Sequence, residues 1–236
     1  MARIVRTPEE AEAALRGLPG GAGVLDVVTA TPGAWVVGGA VRDALLGREP
    51  VELDLVLEGD LPAFAAALGT ALAEYHERFG TGALRTPEGL RVDLVRARRE
   101  HYGHPGALPE VTRAELAADL ARRDVTVNAI ALRPGEPLRA VPGALDDLAA
   151  GVLRILHPRS FEDDATRLWR IARYGERLSF APDSETASRA AGADPATVSG
   201  PRHGNELRRT LAEADPIGAL QATQALAPQL FPEGFA

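Results

Sequence analysis

A chain of 236 residues, 45% of them apolar, has material for one domain of ordinary size and a smaller one beside it. The absence of cysteine excludes disulfides, thiol catalysis and cysteine metal sites, and is compatible with a reducing compartment. With a net charge of −7 the chain is a poor nonspecific binder of polynucleotide, and since its 26 basic residues are all arginine, any nucleic acid must meet a local arginine patch.

The sequence holds no apolar run long enough to span a bilayer, and the N-terminal MARIVRTPEEAEAAL is charged throughout, without a signal-peptide core. A cytoplasmic location with no membrane partner is the expectation. The five histidines show no zinc-ligand spacing, and His101 and His104 flank Tyr102-Gly103 in a predicted surface loop.

Thr7-Pro8-Glu9-Glu10 combines capping-box spacing with proline at the first helical position, which predicts a helix over residues 8–16. Residues 18–33, rich in Gly, Pro and small side chains, read as a connector holding at most a short helix. The stretch WVVGGAVRDALLGREPVELDLV, residues 35–56, follows as strand, glycine turn, helix closed by Gly47, and strand. Bare N–H groups after Gly38-Gly39, at a helix N-terminus, suit phosphate oxygens, and Arg42 is placed to add a bidentate contact to them. Glu52 and Asp54, two apart in a strand, share one face and offer the hard oxygen ligands of a Mg²⁺-dependent phosphoryl or nucleotidyl transfer. Singly, a Gly-Gly is usually only a tight turn and an acidic pair only a solvated strand face. Their conjunction within one unit is what points to chemistry.

Asp60 and Pro62 start a predicted helix through Phe64, Leu68 and Leu72. Residues 75–79, 82–86 and 90–98 read as three antiparallel strands, the last two joined at Pro87-Glu88-Gly89. Asp93 lies on the polar side of the last; it is either a surface aspartate or a third carboxylate beside Glu52 and Asp54, completing a two-metal site and helping to deprotonate an attacking hydroxyl. Residues 99–111 are predicted to be a mobile loop, and Thr112-Arg113-Ala114-Glu115 to cap the next helix. In DLARRDVTVNA, residues 119–129, polar groups interrupt an apolar run and need partners; ion pairs pinning a helix to the sheet and contacts to a ligand both fit.

From Ser160, read as an N-cap, the pattern is helical throughout. Asp163, Asp164, Arg167, Arg170, Arg173 and Arg177 form a charged stripe that reads as a solvated face, with Leu168, Ile171, Ala172 and Leu178 left for burial. Asp164 and Arg167 nevertheless set an acceptor beside a planar donor fork. That pair matches cytosine and adenine, each with an exocyclic amine next to a ring acceptor, and leaves groups unpaired against uracil and guanine. Pro182, Gly200-Pro201 and Pro216 divide the rest into three or four short helices, one over residues 202–212, and no repeat occurs.

On these motifs the chain resembles the class II, CCA-adding type of bacterial tRNA nucleotidyltransferases and poly(A) polymerases, in the DNA polymerase β superfamily. GGAVRDALLG with ELDLV is similar to that family's nucleotide and metal motif, DLARRDVTVNAIAL to its ribose motif, GVLRILHPRSFEDDATRLWRIARY to its linker and protein-templating motif, and SGPRHGNEL to its neck motif. The resemblance implies an α+β fold: a polymerase β-like head of mixed sheet and flanking helices over residues 1–150, with 1–33 a helical preface, and a small all-helical neck over 151–236. The body and tail domains of the family are absent from the 236 residues.

Implied too is a mechanism in which Mg²⁺ on Glu52, Asp54 and Asp93 activates an RNA 3′-hydroxyl, that of tRNA, for attack on the α-phosphate of CTP or ATP. Gly38, Gly39 and Arg42 would hold the triphosphate, Arg123 and Asp124 the sugar side, and Asp164 and Arg167 the base, with Arg170 and Arg173 behind them. Alternatives are a weak or inactive nucleotide-binding module or partner subunit of the same descent, and a transferase acting on a small molecule or protein. Glu52 stands where the family mostly has Asp, Asp163 for Glu, Ala165 for Pro, Val125 for an aromatic residue and Ala144 for Gly. Whether C, A or both are added, and the oligomeric state, the sequence leaves open.

Overall fold

The structure, a computed structural model, describes residues 5–232. The chain divides into two compact units. One holds the residues through Arg99 together with Val111–Arg123 and Val127–Ala149; the other holds Glu100–Glu110, Asp124–Thr126 and the residues from Ala150 onward. The division therefore differs from a single cut at residue 150, because two upstream segments belong with the second unit.

The first unit opens with α1 (Pro8–Arg16), whose capping box closes as its residues dictate: Thr7 N–H donates to Glu10 Oε2 at 2.8 Å and Glu10 N–H to Thr7 Oγ1 at 3.2 Å. The expected connector instead contains α2 (Gly21–Ala30), held by its buried Val24, Leu25 and Val28. Its glycines lower intrinsic helix propensity, and burial of an apolar stripe overrides them. Arg133 donates to the carbonyls of Val28, Thr29, Thr31 and Ala34 and so satisfies acceptors at the C-terminal end of α2.

Next come β1 (Ala34–Val37), α3 (Gly39–Leu45), β2 (Glu52–Leu57), α4 (Leu61–Ala67), β3 (Glu74–His76), β4 (Thr81–Arg85) and β5 (Arg91–Arg96). The helix α4 ends short of Leu72, since Gly69 takes a φ of +70° and turns the chain out of it. After β6 (Arg98–His101) and β7 (Glu110–Arg113) the unit continues through α5 (Leu116–Ala121), β8 (Ile130–Leu132), β9 (Arg139–Ala140) and α6 (Ala144–Ala150). Thr112 and Arg113 lie in β7, so they cap nothing; the first N–H of α5, on Leu116, donates instead to Glu58 Oε1 at 2.9 Å.

Seven strands make the main sheet in the order β3-β4-β5-β2-β1-β8-β9, every neighbouring pair antiparallel except β2 with β5. The buried Leu53, Leu55, Val92 and Leu94 alternate with polar residues, so β2 and β5 turn one side to the core.

The second unit adds β10 (Val152–Leu153), α7 (Ser160–Asp163), α8 (Arg167–Leu178), β11 (Ala181–Pro182), α9 (Ser184–Ala191), α10 (Gly200–Leu211) and α11 (Pro216–Leu226). Ser160 is not a cap: it is the first residue of α7 and fully buried, with Arg159 in the capping position. Nor is the stripe on α8 a solvated face, since Arg167 and Arg173 are 6% and 5% exposed. Within this unit residues 100–110 are largely exposed but anchored at Gly106. Gly106 N–H donates to Glu162 O at 3.0 Å, and a Cβ on Gly106 would stand 2.0 Å from Thr197 O, so only glycine allows that approach. Among the described residues, no helix is long and apolar enough to cross a membrane.

Candidate functional site

The parallel pairing of β2 with β5 sets Asp54 directly opposite Asp93 and Glu52 opposite Arg91. Carboxylate oxygens of Glu52, Asp54 and Asp93 lie within 4.8 Å of one another, each side chain partly exposed. Two aspartates side by side on neighbouring strands repel, so the arrangement calls for a cation between them. Arg91 supplies one: its Nε and Nη2 donate to Asp93 Oδ1 and Oδ2 at 2.9 and 3.3 Å, and Nε lies 3.5 Å from Glu52 Oε2. The Asp93 hydrogen bond, then its charge, raise the Arg91 pKa. Three hard oxygen donors at this spacing fit Mg²⁺. A divalent ion must compete with Arg91, and the half-exposed pair is worth up to about 1 kcal/mol, so Arg91→Ala is expected to tighten Mn²⁺ binding by roughly three- to fivefold. Calorimetric titration checks it; an unchanged affinity would show that the arginine does not compete.

Antiparallel pairing sets Val37, the last residue of β1, opposite Asp54, and the glycine turn follows at once. Gly38 takes a φ of +70°, and a Cβ there would stand 2.8 Å from Arg123 Nη1 and 3.6 Å from Asp54 Oδ2. Glycine is therefore required for its conformation, and a Cβ would also displace the guanidinium crossing over it. Arg123 donates to Asp119 Oδ2 at 3.1 Å and to Asn128 O at 3.3 Å, while its Nε is buried with no hydrogen-bond partner. A buried donor left over beside a glycine turn and a carboxylate has a use if a ligand oxygen comes there.

Arg42 lies elsewhere than its helix position suggests. It is 2% exposed, donates to both oxygens of Asp43 at 2.9 and 3.0 Å and to Asn128 Oδ1 at 2.6 Å, and packs beneath Gly39. The guanidinium is thus held beside the turn by Asp43 and Asn128.

In the second unit Asp124 is 4% exposed and its carboxylate is engaged internally. Its Oδ2 accepts from Arg170 Nε at 2.8 Å and from Tyr174 Oη at 3.1 Å, and its Oδ1 from Val125 N–H at 2.9 Å. The charge of Asp124 holds the Arg170 pKa well above its ordinary value. Arg173 is buried against Glu206 at 2.7 Å and Glu213 at 3.4 Å.

Asp164 and Arg167 flank the short break between α7 and α8, and each is anchored by a different neighbour. Asp164 Oδ1 accepts from Thr166 N–H at 2.9 Å and lies 3.0 Å from Arg202 Nη2; Arg167 Nη1 donates to Ser160 Oγ at 2.7 Å. Nearby, Tyr102 donates to Glu100 at 2.9 Å, and burial above all raises the phenol pKa. Sequence reasoning missed Arg91, Asn128 and Arg202. The i, i+2 spacing of Arg91 and Asp93 carried a signal for the first, whereas the other two act across the fold.

The poly(A) polymerase head-domain model matches residues 34–154. The CC-adding tRNA nucleotidyltransferase of Deinococcus radiodurans is 44% identical over 189 residues, covering 77% of this chain and 50% of that protein. The A-adding tRNA nucleotidyltransferase of Halalkalibacterium halodurans is 38% identical over 206 residues, covering 81% and 48%. A CCA-adding enzyme in its apo form II superposes with a TM-score of 0.80 at 30% identity, over 95% of this chain and 56% of the other. The chain thus spans about half the length of these relatives. With its glycine turn, its facing carboxylates and the matched region coinciding in one sheet, the chain belongs to the poly(A) polymerase head-domain family, that of the tRNA nucleotidyltransferases.

Proposed function

We propose that this chain is the nucleotidyl-transferring part of an enzyme that adds CMP, AMP or both to the 3′ end of tRNA. The carrying observation is the register that sets Asp54 against Asp93, with Gly38 next to Asp54. In this reading Glu52, Asp54 and Asp93 hold Mg²⁺, whose chemistry when bound is to polarise the α-phosphate and lower the pKa of the attacking hydroxyl. The backbone N–H groups after Gly38 donate to the triphosphate oxygens, and the Nε of Arg123 donates to the nucleotide. Asp164 and Arg167 select the base, each held in one orientation by Arg202 and Ser160. Asp124 is a positioning residue that keeps Arg170 in place.

The test is incorporation of each labelled nucleoside triphosphate into tRNA lacking its 3′-terminal CCA. Incorporation of C or A alone, lost on chelation of the metal, is the expected result. Asp164→Ala should let UTP and GTP in, losing roughly 2–3 kcal/mol of discrimination, or about a hundredfold. Saturable CTP or ATP binding without incorporation into any tRNA would refute the enzyme reading and favour a nucleotide-binding module.

A further inference from the structure

A pocket of about 160 Å³ in the first unit, outside the carboxylate site, is lined by Arg78, Arg96, Arg98 and Arg113, with Phe79 at its rim and Glu77 its one acid. In a chain of net charge −7, such a concentration of positive charge stands apart. Elsewhere in this unit Arg16, Arg42, Arg91, Arg122 and Arg123 each meet a carboxylate. Among the described residues Arg78, Arg96 and Arg113 form no ion pair, and the Nε of Arg96 is buried without a hydrogen-bond partner.

The pocket is also built. Arg98 Nη1 donates to Phe79 O at 3.0 Å, and Arg96 N–H to Gly80 O at 2.7 Å. Gly80 takes a φ of +58°, and a Cβ there would stand 2.9 Å from Arg96 Cβ. The glycine thus admits the arginine stem. The guanidinium of Arg78 lies 5.5 Å from the centre of the Phe79 ring, which is itself 45% exposed.

We propose that this pocket binds backbone phosphates of the RNA acceptor, a reading that rests on the transferase function proposed above. The volume falls below the roughly 300–1,000 Å³ of pockets that enclose a whole small molecule, which favours a single anionic group. Planar donor forks beside an exposed aromatic face suit a phosphodiester and its neighbouring base better than an acidic peptide. Arg96 follows Asp93 by three residues, about 10 Å along β5 at its usual rise and on the opposite face of the strand, so the pocket would hold a part of the RNA that runs past the strand's end and not the reacting end itself.

The experiment measures binding of tRNA lacking CCA between 50 and 200 mM salt, for the unaltered chain, for the double variant Arg78→Ser/Arg113→Ser, and for Arg96→Gln. The two residues of the double variant are exposed, so it folds independently of the pocket. Thermal unfolding confirms that Arg96→Gln is folded. Each lost phosphate contact flattens the plot of log affinity against log salt by about 0.7–0.9, so the double variant should lose about 1.5 in slope and at least about tenfold in affinity at 50 mM. CTP and ATP affinities, from equilibrium dialysis, should not move. Unchanged RNA affinity and slope in both variants would overturn the pocket while leaving the transferase reading intact. A fall in CTP and ATP affinity without one in RNA affinity would overturn it too, making the pocket a site for free polyphosphate. An unaltered chain that binds no RNA would overturn both.

Discussion

Asp54→Asn is expected to lower nucleotide incorporation on the order of a thousandfold, about 4 kcal/mol of transition-state stabilisation, without unfolding the protein. Asp54 is the carboxylate common to both halves of the site: it faces Asp93 across two parallel strands and stands next to Gly38. On the proposed mechanism, losing its charge removes an ion ligand where the substrate phosphates come. Folding, by contrast, gains from the change. Asp54 and Asp93 are like charges directly opposite each other, so neutralising one relieves repulsion, and the melting temperature should hold or rise slightly. Single-turnover incorporation and a thermal melt on the same sample separate the two effects. Activity within tenfold of the unaltered chain would remove Asp54 from the chemistry.

Arg173→Ala should do the reverse, costing roughly 2–3 kcal/mol of stability and lowering the melting temperature by about 5–10 °C. Its guanidinium lies between Glu206 and Glu213, whose side chains are only 8% and 11% exposed, and its removal leaves each with one arginine, Arg209 and Arg177 respectively. Most of the cost is the loss of the inner partner at two carboxylates that stay largely buried. Arg173→Met with Glu206→Gln should therefore recover part of the loss, although it removes more polar groups. Well below the melting temperature, nucleotide affinity in Arg173→Ala should equal that of the unaltered chain, because the residue serves packing. A weakened affinity in folded Arg173→Ala would instead bring the side chain to the ligand.

What could be read from the residues alone follows the range of the forces involved. The face shared by Glu52 and Asp54 was legible because side-chain direction in a strand has period two, and the α1 cap because its hydrogen bonds span three residues. The match of Asp54 to Asp93 was not, since register between β2 and β5 depends on contacts across the intervening α4, β3 and β4. For Arg42 the helix was legible but the burial was not, because α3 buries Ala40, Val41, Ala44 and Leu45 and takes the arginine in with them, where Asp43 and Asn128 hold it. On α8 the spacing of charges was right, but partners far along the chain, Glu206 and Glu213, drew Arg173 inward. In residues 100–110 one anchoring contact was out of reach of the sequence for a related reason. Their prolines and glycines suggest freedom, yet Gly106 is what permits close packing on Thr197.

Because the second unit borrows Glu100–Glu110 and Asp124–Thr126 from within the span of the first, no one scissile point separates the two. A fragment ending at 150 would carry away Gly106 and Asp124 and strip the helical remainder of Arg202's and Arg170's acceptors. Recombination between relatives, natural or engineered, must then exchange the interleaved segments together, and a chimera joined at that one position should express as an insoluble product.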